Sequence, residues 1–201
     1  MMAGAGGELR RIVHINEEIK RVVATALRIN LMAMNAIFLA RRAGRTALGF
    51  GVLSHELRRF AADLRQQMAA LGEMTYGSVA TVTGMVKQGH INRLLERTRA
   101  EAAGSGRKLV DDRLYDRDGD AMLHHEERIA AVNRRLTQMI ADTAQLVELG
   151  SVLARSAKIE AAYGGGFSAD LMQVSSDFEA TIAEIQQSLG SLTRHPFREA
   201  A

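Results

Sequence analysis

Ile12 to Ala43 reads IVHINEEIKRVVATALRINLMAMNAIFLARRA. Its apolar and small residues recur at alternating steps of three and four: Ile12, Ile15, Ile19, Val22, Ala26, Ile29, Ala33, Ala36, Ala40 and Ala43. A stripe of that period stays turned toward a partner helix over many turns. The segment therefore predicts one long helix, from near Gly7 to Ala43, that packs along its length. Leu27, Leu31, Met34 and Phe38 add a second stripe beside the seam over the last turns. This end of the helix is apolar on two faces, so one can pack inward while the other is left for a partner.

Downstream, Gly44 and Gly49 bracket a short break. A second helix restarts near Phe50 with Leu53, Leu57, Phe60, Leu64 and Leu71 on one face. Gly72, Gly77, Gly84 and Gly89 weaken it by about 1 kcal/mol each relative to Ala, which predicts a bend or a stop near Gly89. Gly104 to Gly119 mixes Gly, Ser and charge and reads as a linker. A third helix, begun by Asp118 or Asp120 as cap, carries Ile129, Val132, Leu136, Met139, Thr143, Leu146, Gly150, Leu153, Ala157 and Glu160. After Gly164-Gly165-Gly166 a fourth helix carries Leu171, Val174, Phe178, Ile182, Ile185, Leu189 and Leu192 and stops before Pro196.

The expected fold is all-α: an elongated antiparallel four-helix bundle or coiled coil made of two helical hairpins, each too thin to bury its own seam. Hairpin one spans 7–103, the linker 104–119 and hairpin two 120–195, within one domain over 1–201. Composition agrees, with one Pro and 4% aromatics in 201 residues and a majority of residues that lose little freedom in a helix. With no Cys, disulfides and thiolate metal sites are excluded, which suits a cytoplasmic location. The start reaches charge before any signal-like apolar run, and the longest apolar stretch, Ile29 to Ala40, is short for a membrane span. A net charge of +3 with acids and bases interleaved argues against nucleic acid as partner.

From Asn30 to Arg58 the chain reads NLMAMNAIFLARRAGRTALGFGVLSHELR and fits the pattern NxxAxNAxxxAxRAGxxxxGFxVxxxExR. This segment resembles the hairpin tip of methyl-accepting chemotaxis proteins, the bacterial chemoreceptors. The resemblance implies a cytoplasmic signalling module that binds a CheW-like coupling protein and a CheA-like histidine kinase. It places Phe50, Val52 and Glu56, with Arg58, on the side of those partners, and Asn35 as an organiser of the tip. Leu27, Leu31, Met34, Phe38 and Arg42 would face neighbouring receptors or further copies of the chain. Leu39 and Arg45 stand where the family usually has acidic residues, which alters the charge of the contact surface.

Leu153 to Val174 carries a weaker echo of the same segment. Laid over it, Glu160 falls opposite Leu39, Tyr163 opposite Arg42 and Phe167 opposite Phe50, with about four residues missing at the turn. A receptor builds its rod from two identical hairpins in a homodimer; this chain is expected to build one from two unequal hairpins, with Glu160, Tyr163 and Phe167 forming a second tip. The family's methylation signature has only a poor counterpart in Gln186-Gln187, and the chain contains no Trp with which to make its methyltransferase-recruiting tail.

Other chemistry fits less well. Asp116, Asp118, Asp120 and Glu127 follow calcium-loop spacing, but Ala121 stands where the loop requires Gly. His124 and His125 point apart on a helix, and His14, His55 and His90 are scattered, so neither a metal site nor haem ligation is expected. The triple glycine lacks the Lys-Ser/Thr of a P-loop, and no nucleophile lies near a base, so no enzyme activity and no cofactor are expected. The rival readings are a self-associating structural scaffold and a ligand-sensing bundle.

Overall fold

A computed structural model describes residues 2–118 and 121–194. Their regular elements are all helical: α1 (Met2–Ala43), a 3-10 turn over Gly44–Ala47, α2 (Leu48–Glu101), α3 (Ser105–Asp118), α4 (Ala121–Ala162), a 3-10 turn over Gly165–Phe167, and α5 (Ser168–Arg194). The sequence predicts one domain; the contacts divide the chain into two compact units. One is built of Ile15–Gly72 and Thr137–Pro196, the other of the described residues of Met1–His14 and Glu73–Leu136.

α2 runs without a stop through Gly72, Gly77, Gly84 and Gly89 to Glu101, against the expected break. Its end is set by Gly104, whose φ of +60° only glycine adopts freely, and α3 follows at once. The expected linker is thus a 14-residue helix. Its Lys, Leu and Arg residues favour helix once Gly104 has turned the chain, and Asp111, a weaker helix former, meets Arg99 of α2 at 2.5 Å. Gly119 and Asp120 lie outside the described residues, as do the side chains of Asp116, Asp118, His124 and His125, so the calcium-loop and capping readings fall there too. Pro196, the expected stop of α5, also lies outside.

The unit built of Ile15–Gly72 and Thr137–Pro196 contains both turns. On α1 the predicted seam is the buried one: Ile15, Ile19, Val22, Ala26, Ile29, Ala33, Ala36 and Ala40 are all buried. The helix after the turn runs back along it, since a methyl on Gly51 would lie 3.4 Å from Ala40 and one on Gly72 would lie 4.0 Å from Ile19. On α4 the buried line is Ile140, Thr143, Val147, Gly150, Ala154, Ala157 and Ala161. Met139, Leu146, Leu153 and Glu160, expected on the seam, are instead half-buried at its edge. The other expected positions, Leu136, Thr143, Gly150 and Ala157, are buried as read, so only the alternate positions are displaced, by one residue each.

These lines reveal an internal repeat. Ile19, Val22, Ala26, Ile29, Ala33, Ala36 and Ala40 are each followed 121 residues later by a buried residue of α4. The relation holds without slippage across the turn, since Phe50, Ser54, Leu57, Ala61, Leu64, Met68 and Leu71 are matched by Leu171, Ser175, Phe178, Ile182, Ile185, Leu189 and Leu192. Gly44 at φ +67° corresponds to Gly165 at φ +58°. The expected deletion at the second turn is therefore absent, and Phe50 corresponds to Leu171 while Phe167 corresponds to Thr46. The repeated Gly-Phe pair had pulled the alignment four residues out of phase.

Several buried positions are small and polar. Ser54 donates to the Phe50 carbonyl at 2.8 Å, its repeat partner Ser175 to the Leu171 carbonyl at 2.9 Å, and Thr143 to the Met139 carbonyl at 2.8 Å. Each hydroxyl is satisfied within its own helix, so burial costs little and neighbouring helices approach closely. A third of the 18-residue window within Leu9–Glu101 that reaches a mean hydropathy of 1.7 is buried, at 33%. That window meets the length and composition of a membrane span, as the core helix of a water-soluble protein also can.

A methyl on Gly150 would lie 2.5 Å from the Phe60 ring, so Gly150→Ala should destabilise the protein by about 1–3 kcal/mol through overpacking, despite the better helix propensity of Ala. Phe60→Leu in the same chain should recover part of the loss. Urea unfolding followed by circular dichroism reads both.

Candidate interaction site at the two turns

The turns are held against each other. A methyl on Gly165 would lie 3.9 Å from the Thr46 side chain and 4.0 Å from its Cβ. On either side, contacts cross between the two helical pairs: Phe60 of α2 covers Gly150 of α4, Arg28 of α1 pairs with Glu184 of α5, and the Thr181 hydroxyl lies 3.8 Å from the Met32 sulfur.

Glu160 is half-buried, and its carboxylate lies where a Cβ on Gly49 would be, so a larger residue there would push the carboxylate aside. Gly49 belongs to the first turn of α2, which has no acid of its own, whereas α5 has Asp170 in its first turn. An acid near a helix N-terminus is favoured by the helix dipole. Under the 121-residue relation Glu160 corresponds to Leu39 and Gly49 to Asp170. The second pair thus supplies the acid for α2, while α5 supplies its own.

The residues singled out by the sequence separate by burial. Leu27 is 42% exposed, Leu31 60%, Met34 38% and Phe38 58%, so the second stripe of α1 is uncovered. Asn35 and Arg42 are exposed beside it. On α2, Val52 is 63% exposed, and Glu56 and Arg58 are also at the surface. Phe50 is a correction: at 0% exposure it is a core residue and not a surface one. Its removal would open a cavity at a cost of about 3–5 kcal/mol rather than spare the fold. Tyr163 is 74% exposed and Phe167 half-buried.

No protein family, curated protein or solved structure matches the chain.

Sequence reasoning passed over two exposed groups. Leu48, at 65% exposure, stands one turn before Val52 and extends its apolar patch. Leu149, Val152 and Ile159 of α4 are 54%, 49% and 64% exposed and form an outward stripe with Tyr163. Their spacing was legible, but attention to the seam concealed it. Among the described residues no group of three or more acids and histidines could hold a metal ion. An open groove between α1 and α5, lined by Glu18, Arg21, Thr25, Glu184 and Ser188, has its charges paired: Glu18 with Arg21 at 2.9 Å, and Glu184 with Arg28.

The 4.0 Å separation at Thr46 and Gly165 lies within the Cβ range of a disulfide. Thr46→Cys with Gly165→Cys should therefore oxidise within one chain, shown by faster migration on a non-reducing gel at monomer mass. The closed loop should add about 3 kcal/mol of stability after about 1–2 kcal/mol is lost to a non-glycine residue at positive φ. Crosslinks found only between chains would show that each turn meets a second molecule instead.

Proposed function

We propose that the chain is a chemoreceptor-like signalling module of the cytoplasm that works by binding, without catalysis or cofactor. In this reading Ile15–Gly72 and Thr137–Pro196 form an antiparallel four-helix bundle that stands in for a receptor homodimer. Its turn end docks a CheW-like coupling protein or a CheA-like histidine kinase. The observation that carries the reading is the patch on the first turns of α2. Leu48 and Val52 are large, apolar and 65% and 63% exposed, and Glu56 continues the same face one turn on. Exposed apolar residues flanked by charge are what a partner's hydrophobic anchor contact requires. Support also comes from the Asn30 to Arg58 resemblance, in which Val52 and Glu56 hold the partner-facing positions.

The self-associating scaffold is the second reading, and the uncovered stripe Leu27, Leu31, Met34 and Phe38 favours it. The two readings place the contact on different helices, which makes them separable.

Val52→Asp and Glu56→Lys should each leave helical content unchanged and weaken binding to a purified coupling protein by about tenfold or more, equivalent to about 1.4 kcal/mol. Titration calorimetry measures this. Equal affinity of both variants and the parent would remove the docking reading, whereas loss of binding only on mutation of Leu31 or Phe38 would move the contact to α1.

A further inference from the structure

The internal repeat shows what the first hairpin leaves unpaired between its two helices. In the second, α4 and α5 are joined at their surface by polar contacts: Lys158 donates to Glu179 at 2.5 Å, and Gln186 to Glu148 at 3.4 Å. Under the 121-residue relation the counterparts of these pairs are Ile37 with Arg58 and Leu27 with Arg65. Each arginine therefore borders an apolar residue of α1 where its counterpart meets a polar one. A separate observation gives the same placement. Gly51 and Gly72 of α2 lie against Ala40 and Ile19 of α1, and Arg58 and Arg65 fall between them at seven-residue steps, on the same line of the helix. Both arginines are exposed, and among the described residues no ion pair or hydrogen bond engages the side chain of either, or of Arg41.

Charge is sorted by side within this unit. From Ile19 to His55 the chain has no acid and six lysines and arginines. The next acids of α2, Glu56 and Asp63, follow Gly49 at seven-residue steps and so share the side that meets Glu160 of α4. On α5, Asp170 and Asp177 precede Glu184 at the same steps and share the side that meets Arg28. The side common to α1 and α2 is left to apolar and basic groups. Leu27, Met34 and Arg41 form one line of seven-residue steps on α1, Leu31 and Phe38 the line beside it, and Arg58 and Arg65 the border with α2.

We propose that this side of α1 and α2 docks on an anionic lipid bilayer, the stripe from Leu27 to Phe38 resting at the boundary of the acyl chains and Arg41, Arg58 and Arg65 on the lipid headgroups. Apolar residues flanked by arginine bind such an interface by buried area and by attraction to anionic lipid together, and a guanidinium grips phosphate with paired hydrogen bonds. A second copy of the same side would oppose arginine to arginine, and nucleic acid would leave the stripe in water. On α4 and α5 the counterparts of the three arginines are Ala162, Glu179 and Gln186, so the repeated side offers no equivalent surface.

The chain contains no Trp, so one introduced indole reports one side. Phe38→Trp, which keeps a large aromatic, should shift its emission to shorter wavelength with phosphatidylcholine vesicles containing about 30% phosphatidylserine, and not with phosphatidylcholine alone. Ile159→Trp, the equivalent place on α4, should not respond. In flotation with the same vesicles the full chain should partition at least tenfold less at about 500 mM NaCl than at about 20 mM, as the Debye length shortens. Arg58→Glu with Arg65→Glu should lower partition at least tenfold. Arg97→Glu with Arg107→Glu, an equal change of net charge elsewhere, should leave it unchanged, with circular dichroism confirming helix in all. Equal binding to phosphatidylcholine alone, equal responses of the two indoles, or equal losses in the two arginine pairs overturns the inference. So does a chain that ignores vesicles and instead gives, in sedimentation velocity, a dimer that Phe38→Ser abolishes. Every variant spares Leu48, Val52 and Glu56, so lipid binding and coupling-protein binding fail separately.

Discussion

Gly44 and Gly165, held at φ +67° and +58°, reverse the chain at equivalent points, and the register of the surrounding core follows from them. A residue with a Cβ at either point would cost about 1–2 kcal/mol in the left-handed region. More important is the phase they set. Because both turns consume the same length, the buried residues between Ile19 and Leu71 recur as buried residues 121 positions on, with Ile37 and Ala47 as the exceptions, their counterparts Lys158 and Ser168 being half-buried. A change of one residue in either turn would rotate the helix after it by about 100° and bring polar residues into the core.

Equivalence of position is combined with difference of content. Phe60 fills the space above Gly150, while their counterparts are Thr181 and Ile29, both buried and of intermediate size. Glu160 lies over Gly49, while their counterparts are Leu39 and Asp170. In each case one site is large against small, and its repeat shares the volume or charge differently. Two copies of the first hairpin would bring Ile29 against Phe60 and leave α2 without its acid, so the halves prefer each other over themselves.

Much of this was legible in the sequence, and the failures have physical causes. The seams of α1 and α5 were readable because Ile, Leu and Phe occupy many of their inward positions. On α4 every second seam position, Leu136, Thr143, Gly150 and Ala157, was read correctly, while the alternate ones were read one residue early because Met139, Leu146 and Leu153 are as large as or larger than the inward Ile140, Val147 and Ala154. Hydropathy undervalues small residues that admit a neighbouring helix and hydroxyls that bond their own carbonyls, as Ser54 and Ser175 do. The segment 105–118 was read as a linker because composition alone does not register what the Gly104 cap and the Arg99 pair provide. Phe50 was placed on the partner surface by resemblance, yet its period with Leu57 and Leu64 already marked it as core. The Leu48 and Val52 patch beside it is where that resemblance still points outward.

The strength of contact that the exposed stripes support is bounded by their size. Burying a Leu, Met or Phe side chain gains about 1.5–3 kcal/mol when fully removed from water, and these residues are already partly covered. Two stripes of a few such side chains must offset roughly 4–15 kcal/mol of lost translational and rotational freedom. Tight, permanent association is therefore not what this surface is built for. Surface charge pairs add about 0–1 kcal/mol each, so the arginines contribute chiefly to the choice and orientation of the partner. A contact balanced in this way forms where molecules are concentrated and dissolves where they are not.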